Sequence, residues 1–277
     1  MKWRLSVSET IALFVVSCFV IVAILAPWIA PSDPEDMDLY NRMSAPLSKG
    51  HFLGTDHLGR DTVTRLMYGA RVSLIVSIAA VGWAIVIGGS LGLLAAYVGK
   101  KTDILIMRIM DILLSLPPTV LAIFIVTVLG SGMFNLTVAI GIRNIPVIAR
   151  LIRGDAISVQ AMDYVVAANA IGASRKRIAL MHILPNCINS IIISATLLTS
   201  TAILVEASLS FLGLGLPPGT ASWGSMINEA RPFIWTHPQN SIIPGIAITV
   251  LVLSLNVLGD FVRDVLDPRK MKRGKKV

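Results

Sequence analysis

The chain has 277 residues, of which 55% are hydrophobic and only 14% are charged, and its mean hydropathy is +0.76. Water-soluble domains carry about 25% charged residues, so this composition excludes a soluble globular protein and indicates a membrane protein. Two cysteines exclude a disulfide-stabilised scaffold, and the distribution of the formal charge of +8 argues against a nucleic-acid partner.

Six segments satisfy, or nearly satisfy, the requirement of about 20 predominantly apolar residues for a membrane-spanning helix. The predicted spans are Ile11–Ala30, Val72–Val98, Ile104–Leu129, Leu136–Leu151, Ser190–Leu212 and Ile242–Val262. The first has an apolar run too long for a signal-peptide core, so we interpret it as a retained helix. The sequence predicts an all-α integral membrane protein with six transmembrane helices, in which 1–277 forms a single domain.

Lysine and arginine residues determine the predicted orientation of these helices. With the N-terminus in the cytoplasm, most of the 24 basic residues fall on the cytoplasmic side, above all in the tail over 263–277. Cytoplasmic segments of membrane proteins carry such an excess, and we interpret the tail as an anchor near anionic lipid. The sequence therefore predicts cytoplasmic termini, a first helix over 9–30, an external loop over 31–71, and core helices over 72–262 that include a cytoplasmic loop over 152–189.

The predicted cytoplasmic loop contains a capped helix–turn–helix. Asp163 is positioned to cap a helix over Tyr164–Ile171, and Gly172 supplies a C-terminal stop. Ser174 is positioned to cap a second helix, which Pro185 is expected to end. A polar helix pair between two membrane spans indicates docking onto a partner in the aqueous phase.

The sequence gives little indication of catalysis or metal binding. It contains no GxxxxGK[ST] phosphate loop and no HExxH or CxxC pattern. Its four histidines share no ligand spacing, so no metal site is predicted. We therefore expect neither an enzymatic activity nor a cofactor in this chain.

Four ionisable residues lie within or near the predicted spans: Asp111, Arg143, Glu206 and Asp260. Charged groups in the membrane are costly, so each is either paired with a neighbour or functional. Glu206 lies well within the fifth span and is the candidate for a transport pathway. If these groups faced one cavity they could carry protons, which keeps an ion-coupled secondary transporter open as an alternative.

Several strings of residues resemble one family of membrane proteins. They are FLGTDHLGRD at 52–61, AANAIGASRKRIALMHILPN at 167–186, SFLGLGLPPGTASWGSMINEAR at 210–231 and NVLGDFVRDVLDPR at 256–269. Together they are similar to the second ("C") permease subunit of bacterial ABC importers of the dipeptide, oligopeptide and nickel group. The second string resembles the cytoplasmic "EAA" loop of ABC permeases, although Val166 stands where the wider family has glutamate.

The resemblance implies a type I ABC importer permease fold in the bacterial inner membrane and a division of labour among subunits. The chain would pair with a homologous "B" permease to enclose half of a translocation pathway. Two ABC ATPase subunits would bind from the cytoplasm, and an extracytoplasmic substrate-binding protein would deliver the substrate. ATP and Mg would then be bound by the partner ATPases, and membrane lipid would surround the helices.

The resemblance also implies roles for particular residues. Those assigned to the ATPase-coupling loop are Tyr164, Ala167, Ala168, Gly172 and Arg175. Those assigned to docking of the binding protein are Asp56, Arg60, Asp61, Trp223 and Glu229. For Arg60 and Asp61 we favour the alternative that they cap and anchor an interfacial helix at Asp61–Arg71.

The substrate of this group ranges over peptides, nickel, metal chelates and glutathione. No cluster of histidine or cysteine marks a metal path in the sequence. We therefore predict di- or oligopeptides as the substrate, and nickel or a metal chelate is the alternative.

Overall fold

The computed structural model describes residues 6–48 and 50–266, which form helices and connecting loops with two isolated β-bridges. The α-helices in chain order are α1 (Val7–Ile29), α2 (Thr62–Val98), α3 (Lys100–Ser115), α4 (Pro118–Leu129), α5 (Met133–Gln160), α6 (Asp163–Ala170), α7 (Arg175–Ile178), α8 (Leu184–Phe211), α9 (Trp223–Ala230) and α10 (Gln239–Leu266). The all-α prediction is confirmed. Most of the predicted basic tail, from residue 267 onward, lies outside the described residues.

In residues 6–48 and 50–266, five helical segments are long and apolar enough to cross a membrane: α1, α2, α5, the continuous run Arg175–Phe211, and α10. The predicted third span is not one straight helix, because α3 and α4 meet at an angle of 92°. Pro117 and Pro118 lie at this break, and proline disfavours helical backbone at the residue before it. The six predicted spans therefore correspond to five helices and one broken pair.

Close contact between α2 and α5 forms the centre of the domain. Small residues recur every fourth position along α2, at Ala84, Gly88 and Gly92, and all three are buried. A Cβ atom on Gly88 would lie 2.7 Å from the carbonyl oxygen of Ile145 on α5, and one on Gly92 would strike the backbone of Ala149. Small residues at this spacing let helix backbones approach each other closely in membrane proteins.

The start of α2 differs from the predicted interfacial helix. Asp61 does cap a helix, since its carboxylate accepts a hydrogen bond from the backbone N–H of Thr64 at 2.8 Å. That helix continues without interruption for 37 residues to Val98. The loop predicted over 31–71 therefore ends at residue 61, and its last ten residues are the first turns of a membrane-spanning helix.

The predicted loop over 152–189 is shorter than expected at both ends. α5 continues through Gln160, and α7 leads through a π-helical turn at Ala179–Ile183 directly into α8. Pro185 does not end the second helix, because it occupies the first turn of α8. The wide π-helical turn, in which Leu184 N–H bonds Ala179 O, lies immediately before it. The segment between the spans is thus residues 161–183, which we call the coupling loop.

Candidate functional site

The turn inside the coupling loop is a Schellman motif. Ala173 N–H donates to Ala168 O at 3.1 Å, and Gly172 N–H donates to Asn169 O at 3.0 Å. Gly172 has φ +80°, the left-handed conformation that glycine adopts without steric cost. The side chain of Ser174 accepts from Arg177 N–H at 3.4 Å and caps the second helix. The predicted roles of Gly172 and Ser174 in forming this turn are confirmed.

The predicted cap at Asp163 is wrong. Met162 occupies the cap position and Asp163 is the first residue of α6, with no side-chain hydrogen bond at the cap. An acidic residue in the first turn still interacts favourably with the positive end of the helix dipole. The sequence signal was therefore displaced by one residue.

The residues predicted for the coupling interface divide into two groups in the structure. Tyr164, Ala167, Gly172 and Arg175 are exposed, whereas Ala168 is buried against its own chain. Ala168 packs in an apolar cluster with Val165, Ile178 and Ile183, which joins the loop to α2 and α5. Ala168 therefore positions the loop and does not present a surface to a partner.

Two of the exposed residues also have contacts within the chain. Tyr164 Oη accepts from Asn186 Nδ2 at 3.1 Å, and its ring lies 6.2 Å from that of His182. Arg175 Nη1 lies 3.5 Å from Val98 O, at the end of α2, where a cation opposes the negative end of the helix dipole. These contacts connect the loop to the ends of α2 and α8.

Sequence reasoning did not select the most exposed apolar residues of the loop. Ile171 is 86% exposed at the tip, next to Gly172, and Met162 and Val166 are also exposed. Exposed apolar side chains clustered on a loop are typical of a protein-binding surface. The sequence did contain an indication of the exposure of Ile171, since this residue directly precedes Gly172, the glycine of the turn after α6.

The residues predicted to dock a binding protein are mainly structural. Arg60 and Arg65 are each 1% exposed. Arg60 Nε lies 2.7 Å from Asp56 Oδ2, and its Nη2 bonds Glu229. Arg65 Nη1 and Nη2 lie 3.0 Å from the same two carboxylates. We call these four residues the arginine–carboxylate cluster; it fastens the loop before α2 to α9.

The remaining two predicted docking residues are also buried. Asp61 caps α2 and bonds His51 Nδ1 at 3.0 Å. Trp223 is fully buried; its Nε1–H donates to Leu66 O at 3.0 Å, and its ring meets that of Phe19 edge-on. These contacts give Arg60, Asp61 and Trp223 a scaffolding role, and the geometry favours the alternative that Arg60 and Asp61 anchor the start of a helix. Docking of a binding protein at this surface stays a prediction.

The arginine–carboxylate cluster adjoins a group that resembles a metal site. Asp56, His57 and Glu229 offer ligand atoms within 4.8 Å of one another. Arg60 and Arg65 already neutralise both carboxylates, which opposes binding of a cation. Burial raises the pKa of Glu229 above its usual value, and the attraction of Arg60 only partly offsets this effect. The donor set therefore suits an ion-pair network better than a metal.

Glu206 is enclosed by helices of its own chain. It is fully buried among α2, α8 and the segment before α9. Its carboxylate accepts hydrogen bonds from Ser73 Oγ at 2.7 Å and from Ser210 Oγ at 2.9 Å. Such bonds satisfy a buried carboxylate within the protein. Glu206 therefore joins helices, and the expectation that it borders a pathway is not supported by its position.

Ion pairs connect α3 and α5. Arg153 Nη2 lies 2.6 Å from Asp103 Oδ2, and Arg150 Nη2 bonds Asp111 Oδ1. Asp111 is thus paired with a neighbour, which is one of the two alternatives that the sequence left open for it. The two helices border a groove of about 540 Å³, and Arg108 also lines it. A groove with five charged side chains differs from the apolar surfaces that face lipid.

Comparisons with known proteins agree with this architecture. The sequence profile of the family described as "Binding-protein-dependent transport system inner membrane component" matches residues 88–272. The profile of the "N-terminal TM domain of oligopeptide transport permease C" matches residues 10–46. The two matches together cover most of the chain.

Two characterised relatives are similar over nearly their whole length. The chain is 44% identical to the dipeptide transport system permease protein DppC of Alkalihalophilus pseudofirmus, over 95% of this chain and 86% of the relative. It is also 44% identical to the glutathione transport system permease protein GsiD of Escherichia coli O6:K15:H31, over 96% of this chain and 88% of the relative.

A solved structure shows the same fold. An inward-facing structure of the MetNI methionine ABC transporter matches with a TM-score of 0.60 at 18% identity, over 73% of this chain and 96% of that one. The match confirms the type I ABC permease fold. From the profiles, the relatives and the fold together, the chain belongs to the inner-membrane permease family of binding-protein-dependent ABC transport systems, in the group of oligopeptide permease C subunits.

Proposed function

We propose that this chain is a non-catalytic permease subunit that forms half of the translocation pathway of an ATP-driven peptide importer. It would pair with a homologous "B" permease and with two ABC ATPase subunits, which bind ATP and Mg. An extracytoplasmic binding protein would deliver the peptide. Both chain termini would lie in the cytoplasm, as the distribution of basic residues indicates.

The observation that carries this proposal is the construction of the coupling loop. Its tip exposes Ile171 and Gly172, while Val165, Ala168 and Ile178 fix its base in the core. A loop built in this way can receive a partner on one side and transmit displacement to α2, α5 and α8 on the other. A stand-alone carrier would have no use for such a loop, and the buried position of Glu206 removes the main argument for ion coupling.

The proposed substrate class rests on the named relatives. One is a dipeptide permease and the other is a glutathione permease, and both substrates are short peptides. Nickel or a metal chelate stays as the alternative. The arginine-neutralised carboxylates beside His57 give that alternative no support.

The decisive experiment is affinity purification of this chain from its native membrane, followed by uptake assays on the reconstituted complex. We expect a homologous permease and two P-loop ATPases to copurify, and labelled dipeptide to be taken up with ATP hydrolysis. Recovery as a homo-oligomer without ATPases would contradict the importer assignment. Uptake of Ni²⁺ without uptake of peptides would contradict the substrate class alone.

A further inference from the structure

One arginine in the middle of a membrane-spanning helix has no acidic partner among the residues that the structure describes. Arg143 lies in α5, 10 residues from its start at Met133 and 17 from its end at Gln160. Its only hydrogen bond among the described residues is a long one, from Nη1 to Asn144 Oδ1 at 3.4 Å. Its Nε and the Nδ2 of Asn144 are buried, and neither has a hydrogen-bond partner in the described part of the chain. A guanidinium carries five N–H donors, so most donors of Arg143 have no protein partner within the described residues.

The position of Arg143 on α5 relates it to the charged groove between α3 and α5. Arg143 and Arg150 are seven residues apart, which places them on the same helix face about two turns, or about 10 Å, from each other. Arg150 is paired with Asp111 in the groove. Val147, one turn from each arginine, is exposed on the same face. Arg143 therefore lies on the same face of α5 as Arg150, which lines the groove.

This face cannot border lipid at low cost. A charged side chain near the centre of a bilayer faces protein or a water-filled cavity, and it pairs with an opposite charge or marks a substrate pathway. Arg150 and Arg153 each pair with an opposite charge, that of Asp111 and Asp103. Within the part of the chain that the structure describes, Arg143 has no such ion pair.

We infer that the α3–α5 face lines the translocation pathway and that Arg143 binds the carboxylate of the peptide as it passes. The inference rests on the proposed function, since it needs a peptide as the transported molecule. A guanidinium binds a carboxylate through two parallel hydrogen bonds, and the bond is stronger in a desolvated setting. Arg143 would then be a positioning contact for transport, separate from the coupling loop.

The test uses the full complex with its binding protein in proteoliposomes. Arg143→Gln is compared with Arg143→Lys, which keeps the charge, and with Arg143→Met, which keeps the length without it. Arg71→Gln is the matched control, because Arg71 also lies in a spanning helix and lines an apolar groove between α1 and α2. Copurification of the subunits is measured for every variant.

We expect the maximal uptake rate of a dipeptide to fall about tenfold or more in the Gln and Met variants, as for loss of a charged hydrogen bond. Lysine keeps the charge but not the two parallel hydrogen bonds, so it should restore part of the rate. The half-saturating peptide concentration should stay near that of the wild type, and Arg71→Gln should transport normally. Wild-type uptake in all three Arg143 variants would overturn the inference, as would equal losses in the Lys and Gln variants. Failure of the wild-type complex to transport peptides would instead overturn the proposed function.

Discussion

Substitution of Arg60 in the arginine–carboxylate cluster tests whether this residue stabilises the fold or binds a substrate-binding protein. Arg60 is almost fully buried and bonds two carboxylates, Asp56 and Glu229. Arg60→Ala leaves these carboxylates with Arg65 as their remaining cationic partner. Removing one partner of a buried ion pair costs about 3–5 kcal/mol, and we expect the lower end because Arg65 compensates in part.

The expected loss of stability can be measured directly. For a chain of this size, about 3 kcal/mol corresponds to a fall in Tm of about 6–12 °C. Thermal unfolding of the purified complex measures Tm, and a binding assay measures the affinity for the binding protein. Arg231→Ala is the control, because Arg231 is exposed on the turn after α9 and should shift Tm by little. If Arg60→Ala kept the wild-type Tm and weakened only the binding protein's affinity, the scaffolding role would be refuted.

Three further predictions concern Gly92, Gly172 and Glu206. Gly92→Ala should destabilise the α2–α5 contact by about 1–3 kcal/mol, as overpacking does, whereas Gly89→Ala, whose Cβ would meet nothing within 4 Å, should be near neutral in thermal unfolding. Gly172→Val should uncouple ATP hydrolysis from uptake, whereas Gly172→Asn should retain coupling, because asparagine tolerates the left-handed backbone conformation of residue 172. Equal activity of the two variants would show that this backbone conformation is unimportant for coupling. Glu206→Ala should lower the free energy of unfolding by about 1–3 kcal/mol, because it leaves buried serine hydroxyls unpaired, and the folded protein should still take up peptide in an ATP-dependent way. Loss of a proton-driven part of the uptake in this variant would contradict the structural role of Glu206.

Local signals in the sequence predicted the coupling turn well. Gly172 and Ser174 act within a few residues of their own positions, so their types alone indicate a left-handed turn and a helix cap. Asp163 and Pro185 show the limit of the same reasoning. Proline is compatible with the first turn of a helix, so Pro185 is as consistent with the start of α8 as with the end of the helix before it.

The long-range contacts of Arg60 could not be predicted from the sequence. Arg60 and Glu229 are separated by 169 positions in the chain, yet their side chains meet. A charged residue in a polar loop is ordinarily exposed, and only the folded structure brings its partner to it. The break between α3 and α4, in contrast, has a local signal in the sequence, because the adjacent Pro117 and Pro118 indicate a bend. The prediction of one span over Ile104–Leu129 did not use this signal.

The continuity of α7, the π-helical turn and α8 has a mechanical consequence. Arg175–Phe211 is a single helical rod of 37 residues, about 55 Å long at 1.5 Å per residue. One end lies in the coupling loop, and the other lies beside α9 and the loops at the opposite end of the domain. A tilt of about 10° around its midpoint would displace each end by about 5 Å in opposite directions, as the length of the rod requires. Such a rod would act as a lever: a displacement at the coupling loop would reach the far end of the domain without a relay of separate side chains.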